Sequence, residues 1–292
     1  MTGLALQPSA VTDPLERARR HAEANLFEPL TLTGLAAVAG LSAYHFSRQF
    51  TARFGVSPMA YVRARRLAAA ASRLGDRPPP ALIDLAFDCG FDSQEAFTRA
   101  FKRAFGVPPG RYRRAGAPPP QMEIPMSPST LAGVQITQSP APVRKPALRI
   151  AGLSRLFDDT TKAAIPDLWT QLIPRLPVVG QAGPETYGVC AAAPEPGSMR
   201  YAAGVAIAAD APAPEGMEVF DLAPQAYLVF RQVTDGGDLH LQMQAAAREI
   251  WGERLPRSGA KLVQAPDLEV YPPGFRPDIP GQWVEWWVPV EA

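Results

Sequence analysis

The chain repeats itself. Set LAAVAGLSAYHFSRQFTARFGVSPMAYVR, from Leu35, against LAFDCGFDSQEAFTRAFKRAFGVPPGRYRR, from Leu85. Leu35, Ala36 and Gly40 match Leu85, Ala86 and Gly90 at an offset of 50. After one inserted residue, Ser42, Phe46, Arg48, Phe50, Phe54, Gly55, Val56, Pro58 and Tyr61 match Ser93, Phe97, Arg99, Phe101, Phe105, Gly106, Val107, Pro109 and Tyr112 at an offset of 51. So many matches across one gap mean two copies of one unit, and each copy must fold alike.

The residues of each copy spell out a helix, a tight turn and a second helix. The first helix ends at a glycine, which takes the left-handed conformation that a tight turn needs. Ser42, and Asp92 or Ser93, are placed to cap the second helix. Phe46, Phe50 and Phe54, and again Phe97, Phe101 and Phe105, recur every four residues, so one face of that helix packs inward and the other is left free. A plain helical bundle does not account for the residues on the free faces, which include Arg48, Arg53, Arg99, Lys102 and Arg103. Between the copies, Pro58 to Leu74 reads as one long helix carrying Arg63, Arg65 and Arg66, broken before Pro78-Pro79-Pro80. Ahead of both, Asp13 and Pro14 open a helix with an apolar stripe of Leu15, Ala18, Ala22 and Leu26, stopped by Pro29.

Charge separates the chain into two parts. Residues 1–116 carry 16 Lys and Arg against 9 Asp and Glu, whereas residues 117–292 carry 13 against 19. The formal net charge of +1 conceals this. A basic first part suits a polyanion, since phosphate neutralisation dominates affinity for DNA. The acidic second part suits a different job.

Residues 115–130 read as a proline-rich extended linker. Beyond it the pattern turns to strands at Val134, Leu148, Tyr187, Tyr201, Ala226, Leu268 and Gln282. Helical stretches lie around Ile165 to Leu176 and Leu239 to Leu255. Trp169, Tyr201 and Ala203 align with Trp251, Trp283 and Glu285 at an offset of 82. An α+β domain of two pseudo-symmetric halves with a cleft between them is expected.

Cys89 and Cys190 are too few and too far apart for a disulfide framework or a cysteine zinc site. His21, His45 and His240 lack metal-ligand spacing. No metal or cofactor is expected. The start of the sequence lacks a basic-then-apolar leader, and no apolar run approaches the ~20 residues of a membrane span. A cytoplasmic location without membrane contact is the expectation.

The repeat resembles the DNA-binding domain of the AraC/XylS family over residues 13–114, most closely in LSAYHFSRQFTARFGVSPMAYVRARRLAAA and IDLAFDCGFDSQEAFTRAFKRAFGVPPGRYR. The resemblance implies an all-α double helix-turn-helix domain of seven helices, with two recognition helices joined by a connecting helix. The second part, residues 131–292, is similar to GyrI-like effector-binding domains. The similarity lies in PRSGAKLVQAPDLEVYPPG and VEWWVPV, where Glu285, Trp287 and Pro289 stand at that family's glutamate, aromatic and proline. The order of the two domains resembles Rob-type regulators.

These resemblances imply a sequence-specific transcriptional regulator whose second domain binds a small, aromatic or cationic effector. Residues early in a recognition helix reach base edges in the major groove. In the first unit these are Tyr44, Ser47 and Arg48, with Arg53 beyond. In the second they are Gln94, Glu95, Thr98 and Arg99, with Lys102 and Arg103 beyond. Each is open to a base or a phosphate contact. Two units on a stiff connector would read successive major grooves of double-stranded DNA about 34 Å apart, and RNA polymerase is a further partner to expect of a regulator.

For the effector, strand alternation puts Trp283, Glu285 and Trp287 on one face of QWVEWWVPV. Glu285 would then line a cation pocket, lie exposed, or pair with an internal arginine. Tyr187, Tyr201, Tyr271 and Trp169 are further candidates for the pocket wall. Catalysis is not expected. The alternatives are a hydrolase of the cyclopropanoid type and a ligand-free interaction module.

Overall fold

The computed structural model describes residues 13–116, 135–139, 141–158, 160–195 and 197–292. The expected leader and most of the expected linker lie outside them. By contacts the described chain divides into two compact units. One takes residues 13–41 and 58–116, and the other takes 42–57 together with the residues from 135 on.

The first unit holds helices α1 (Pro14–Ala24) and α2 (Leu32–Ala39); α3 (Ala43–Phe54) belongs to the second unit. The first unit continues with α4 (Pro58–Arg73), α5 (Leu82–Asp88), α6 (Gln94–Phe105) and α7 (Pro109–Ala115). Seven helices and the long connector were expected. The two turns are built alike. Gly40 and Gly90 both take positive φ, 73° and 76°, and the next amide, Leu41 or Phe91, bonds back to the carbonyl of Ala36 or Ala86. Ser42 caps α3 through the His45 amide, and Ser93 caps α6 through the Ala96 amide. Leu67, Leu74, Leu85, Phe97, Phe101 and Tyr112 form a core around the second copy. Phe97 and Phe101 are fully buried, each worth roughly 1.5–3 kcal/mol of burial.

In the second unit one antiparallel sheet carries the strands. They are β1 (Gln135–Gln138), β2 (Val143–Lys145), β3 (Leu148–Phe157), β4 (Gln181–Ala192), β5 (Met199–Ile207), β6 (Glu218–Leu222), β7 (Gln225–Val233), β8 (Asp267–Tyr271) and β9 (Trp283–Val290), in the order β1-β7-β9-β8-β4-β5-β3-β6, with β2 also on β7. Helix α8 (Ile165–Leu172) lies between β3 and β4 in sequence. Helix α9 (Leu239–Glu249) lies between β7 and β8, and runs through a π-helical turn (Ile250–Arg254) into α10 (Leu255–Ser258). The sequence β3-α8-β4-β5 is thus answered by β7-α9-β8-β9, with β4 and β8 paired at the centre. This is the two-halved domain that the offset of 82 predicts. Tyr201 falls on β5 and Trp283 on β9.

Strand alternation divides the side chains between two faces. Leu168 and Leu172 of α8 cover Leu153, Phe157, Cys190 and Tyr201. Ile250, Trp251 and Leu255 cover Leu228, Phe230, Trp286 and Val288. The opposite face gathers Tyr187, Val189, Tyr227, Leu268, Val270 and Trp287. Strands β2 and β6 were not foreseen. They are short, and their residues are largely exposed or half-buried, so neither shows a periodic apolar pattern.

Candidate functional site

The polar face of α6 is open. Gln94, Glu95, Arg99, Lys102 and Arg103 are exposed and Thr98 is half-buried. Phe97 and Phe101 fix the helix from behind, so these six side chains project from a rigid support.

Its sequence counterpart α3 is different, and the expectation that its basic face stays free is corrected. Tyr44, Ser47, Arg48 and Arg53 are all half-buried. One Arg48 guanidinium nitrogen lies between both carboxylate oxygens of Asp267, at 2.7 and 2.6 Å. The Tyr44 hydroxyl accepts from Arg48 and donates to Asp267. Arg53 pairs with Glu253. The Arg48 guanidinium lies 4.1 Å from the centre of the Trp251 ring, on which His45 also stacks. Burial holds the His45 imidazole down at about 4, because a charged ring would lose its hydration there. Within this unit, then, α3 is held by the π-helical turn and by β8.

The seven aromatic and acidic candidates do not form one pocket. Trp169, Tyr201 and Tyr271 come together on the helix-covered face. Glu285, Trp283, Trp287 and Tyr187 belong to the other. What gathers the first group is Glu269, which sequence reasoning missed. Tyr201 and Tyr271 donate their hydroxyl protons to Glu269 Oε2 at 2.8 and 2.9 Å, and Trp169 Nε1 donates to the Tyr201 hydroxyl at 3.0 Å. The Trp169 and Tyr271 rings meet edge to face. Glu269 is only 8% exposed, and burial pushes its carboxyl above the ordinary carboxylate range against the two tyrosine hydrogen bonds. Gly188 on β4 makes room, since a Cβ there would collide with the Tyr201 hydroxyl and the Glu269 carboxylate. The signal was present in the sequence. Alternation along DLEVY puts Asp267, Glu269 and Tyr271 on one face.

Glu285 meets one of the alternatives left open for it. It pairs with Arg231 at 2.6 Å and accepts from Trp287 Nε1 at 2.8 Å. Arg231 lies over Trp283 and Lys145 over Trp287. A cavity of about 300 Å³ opens here, lined by Thr137, Ser139, Lys145, Val229, Arg231 and Glu285. It lies toward one end of the sheet rather than between the halves, and its two cations outnumber its carboxylate.

Among the described residues no group of three or more His, Cys, Asp or Glu could hold a metal ion, and no helix is long and apolar enough to cross a membrane.

Comparison with known proteins bears on both parts. A helix-turn-helix domain model matches residues 35–115, and a GyrI-like small molecule binding domain model matches residues 140–291. The Right origin-binding protein of Escherichia coli K12 is 46% identical over 95 residues, which is 32% of this chain and 32% of that protein. The chain thus spans about a third of that relative's length. The multiple antibiotic resistance protein MarA of Salmonella typhimurium is 40% identical over 91 residues, 31% of this chain and 71% of MarA. The DNA-binding domain of AdpA, solved in complex with a target DNA, is 32% identical and aligns over 36% of this chain and 93% of its own, with a TM-score of 0.33. Over more than half its length the chain belongs to the GyrI-like small molecule binding domain family, and ahead of that domain it carries a helix-turn-helix domain of the AraC type.

Proposed function

We propose that this chain is a DNA-binding transcriptional regulator whose GyrI-like domain binds a small organic cation at Glu269. In this reading residues 13–114 form the double helix-turn-helix, 115–130 link, and 131–292 sense. The face of α6 supports the DNA half: Arg99 is placed to pair with a guanine edge, and Lys102 and Arg103 to meet phosphates. With α3 the domain would read two successive major grooves.

The single observation that carries the sensing half is a buried carboxylate walled by three aromatic side chains. A carboxylate costs free energy to keep out of water without a cation, and aromatic faces attract cations. The cage is filled by its own side chains, so a ligand enters by displacing Trp169. Helix α8 is suited to that, because it buries only Leu168 and Leu172 fully. The reading includes no catalysis. The neighbouring carboxylate on that face, Asp267, is committed to Arg48.

Quenching of tryptophan fluorescence in the full chain tests it, with benzyltrimethylammonium and its neutral carbon isostere neopentylbenzene. The wild type should prefer the cation. Glu269→Gln should weaken the cation by roughly 30-fold, equivalent to about 2 kcal/mol, and leave the neutral compound unchanged. Glu285→Gln should change neither, because Arg231 already neutralises Glu285. Loss of cation binding in Glu285→Gln alone would move the site to the other face of the sheet.

A further inference from the structure

Four independent features bind α3 inside the second unit. Asp267 takes Arg48 and Tyr44, with side-chain exposures of 3% for Asp267 and 15% for Arg48. Glu253 takes Arg53. Trp251 lies against both His45 and Arg48. Gly252 lets the backbones approach: a Cβ there would stand 3.1 Å from the Ala52 carbonyl carbon, tighter than side chains ordinarily allow. The contacts use Tyr44, Arg48 and Arg53, which the DNA-binding reading assigns to the groove. With its Nη1 on Asp267 and its side chain largely covered, Arg48 is not presented to a base. At the matching position of the second copy, Arg99 is exposed.

The seam is continuous with the Glu269 cage. Asp267 and Glu269 are two residues apart on β8 and share a face. Tyr44 of α3 packs on the cluster that contains Tyr201 and Cys190, and Trp169 packs on the same cluster. A cation entering the cage therefore brings positive charge toward the Arg48 guanidinium and disturbs the residues on which Tyr44 rests.

We infer that this is an autoinhibited form: the GyrI-like domain withholds the first recognition helix through Asp267, Glu253 and the Gly252 contact, and a cation at Glu269 releases it. The inference rests on the DNA-binding reading above. It makes the two ligands cooperative, so DNA must raise cation affinity by the factor by which the cation raises DNA affinity.

The test measures binding of the full chain to a pool of random-sequence duplexes by fluorescence anisotropy, across a salt series. Asp267→Asn removes the charge that holds Arg48. Gly252→Leu wedges the seam without altering any charge, and Glu253→Gln weakens it at the rim, away from the sheet core. If about a tenth of the wild type has α3 free, each of the first two variants tightens binding by up to roughly tenfold. Each also steepens the salt dependence, because the first unit adds phosphate contacts. Glu253→Gln gives a smaller gain. Benzyltrimethylammonium tightens wild-type binding and has little effect on Gly252→Leu. If the wild type binds DNA and Arg99→Ala weakens it, but folded Gly252→Leu and Glu253→Gln gain nothing, the lock is overturned while the DNA reading stands. If no variant shows salt-dependent binding, the DNA reading fails and the lock with it.

Discussion

Glu269 is buried among tyrosine hydroxyls that hydrogen-bond it; no cation pairs with it directly, although Arg48 favours its charge from nearby and Asp267 opposes it. Its carboxyl group titrates above its ordinary value chiefly because of burial, so the folded chain holds its proton to higher pH than the unfolded chain does. Stability from this group is therefore fully present below the unfolded value and is lost as pH rises through the folded one. Glu269→Gln removes that dependence. Melting temperatures across pH 4 to 8 should show the variant gaining on the wild type as pH rises, with the two converging at the acid end. Tyr201→Phe removes a donor from the same carboxylate and should cost about 1.5–3 kcal/mol at neutral pH, less at acid pH where the carboxyl is protonated. The opposite slope would mean that Glu269 is stabilised as an anion by its cage. This residue also marks where reading the sequence stopped short. Glu285 stood out because tryptophans flank it, but its neighbour across the sheet, Arg231, neutralises it. Which carboxylate is paired directly with a cation depends on strand pairing, which residues on one strand do not reveal.

At the scale of elements, the repeat made the helices and turns of both copies legible, because capping serines, turn glycines and phenylalanine stripes are local signals. Exposure was not local. Helices α3 and α6 carry the same pattern, yet the basic face of one is open and that of the other is occupied. The acidic partners, Glu253 and Asp267, lie about 200 residues further along the chain. From this asymmetry, α6 should dominate DNA binding by the wild type. Arg99→Ala should cost about 1–3 kcal/mol on a preferred duplex and relax discrimination at one base pair. Arg48→Ala should cost the wild type less than it costs Gly252→Leu, where α3 is free. Competition binding with single-base-pair variants of the duplex checks both. Equal losses from the two arginines in the wild type would show both helices already in the groove. Ser93→Ala should lower the melting temperature through loss of the α6 cap, worth about 1 kcal/mol.

At the scale of the whole molecule, the sequence divides by charge into a basic first part and an acidic second, and α3 is where the structure brings those charges together. Retention of α3 should depend on pH through His45. The titratable and charged groups facing this imidazole are Arg48, Tyr44 and Asp267; the Trp251 ring stacks on it, and its Nδ1 lies 3.0 Å from the Ser42 hydroxyl, with which it shares a hydrogen bond. Burial lowers it from 6.5 to about 4, with Arg48 reinforcing the shift and Asp267 opposing it. The held form thus binds fewer protons than a released form whose histidine meets water. Retention is complete above 6.5 and weakens as pH falls toward 4, by at most about tenfold per pH unit. Acidification should therefore tighten DNA binding by the wild type more than by Gly252→Leu. That variant serves as the control because its α3 is already free, so it reports only the pH effects common to both. The ratio of the two affinities, measured at fixed salt from pH 7.5 to 5.5, should move toward one. His45→Phe keeps an aromatic ring on Trp251 but cannot take a proton, and should hold the ratio flat. A ratio that moved as much in His45→Phe as in the wild type would assign the pH response to another group.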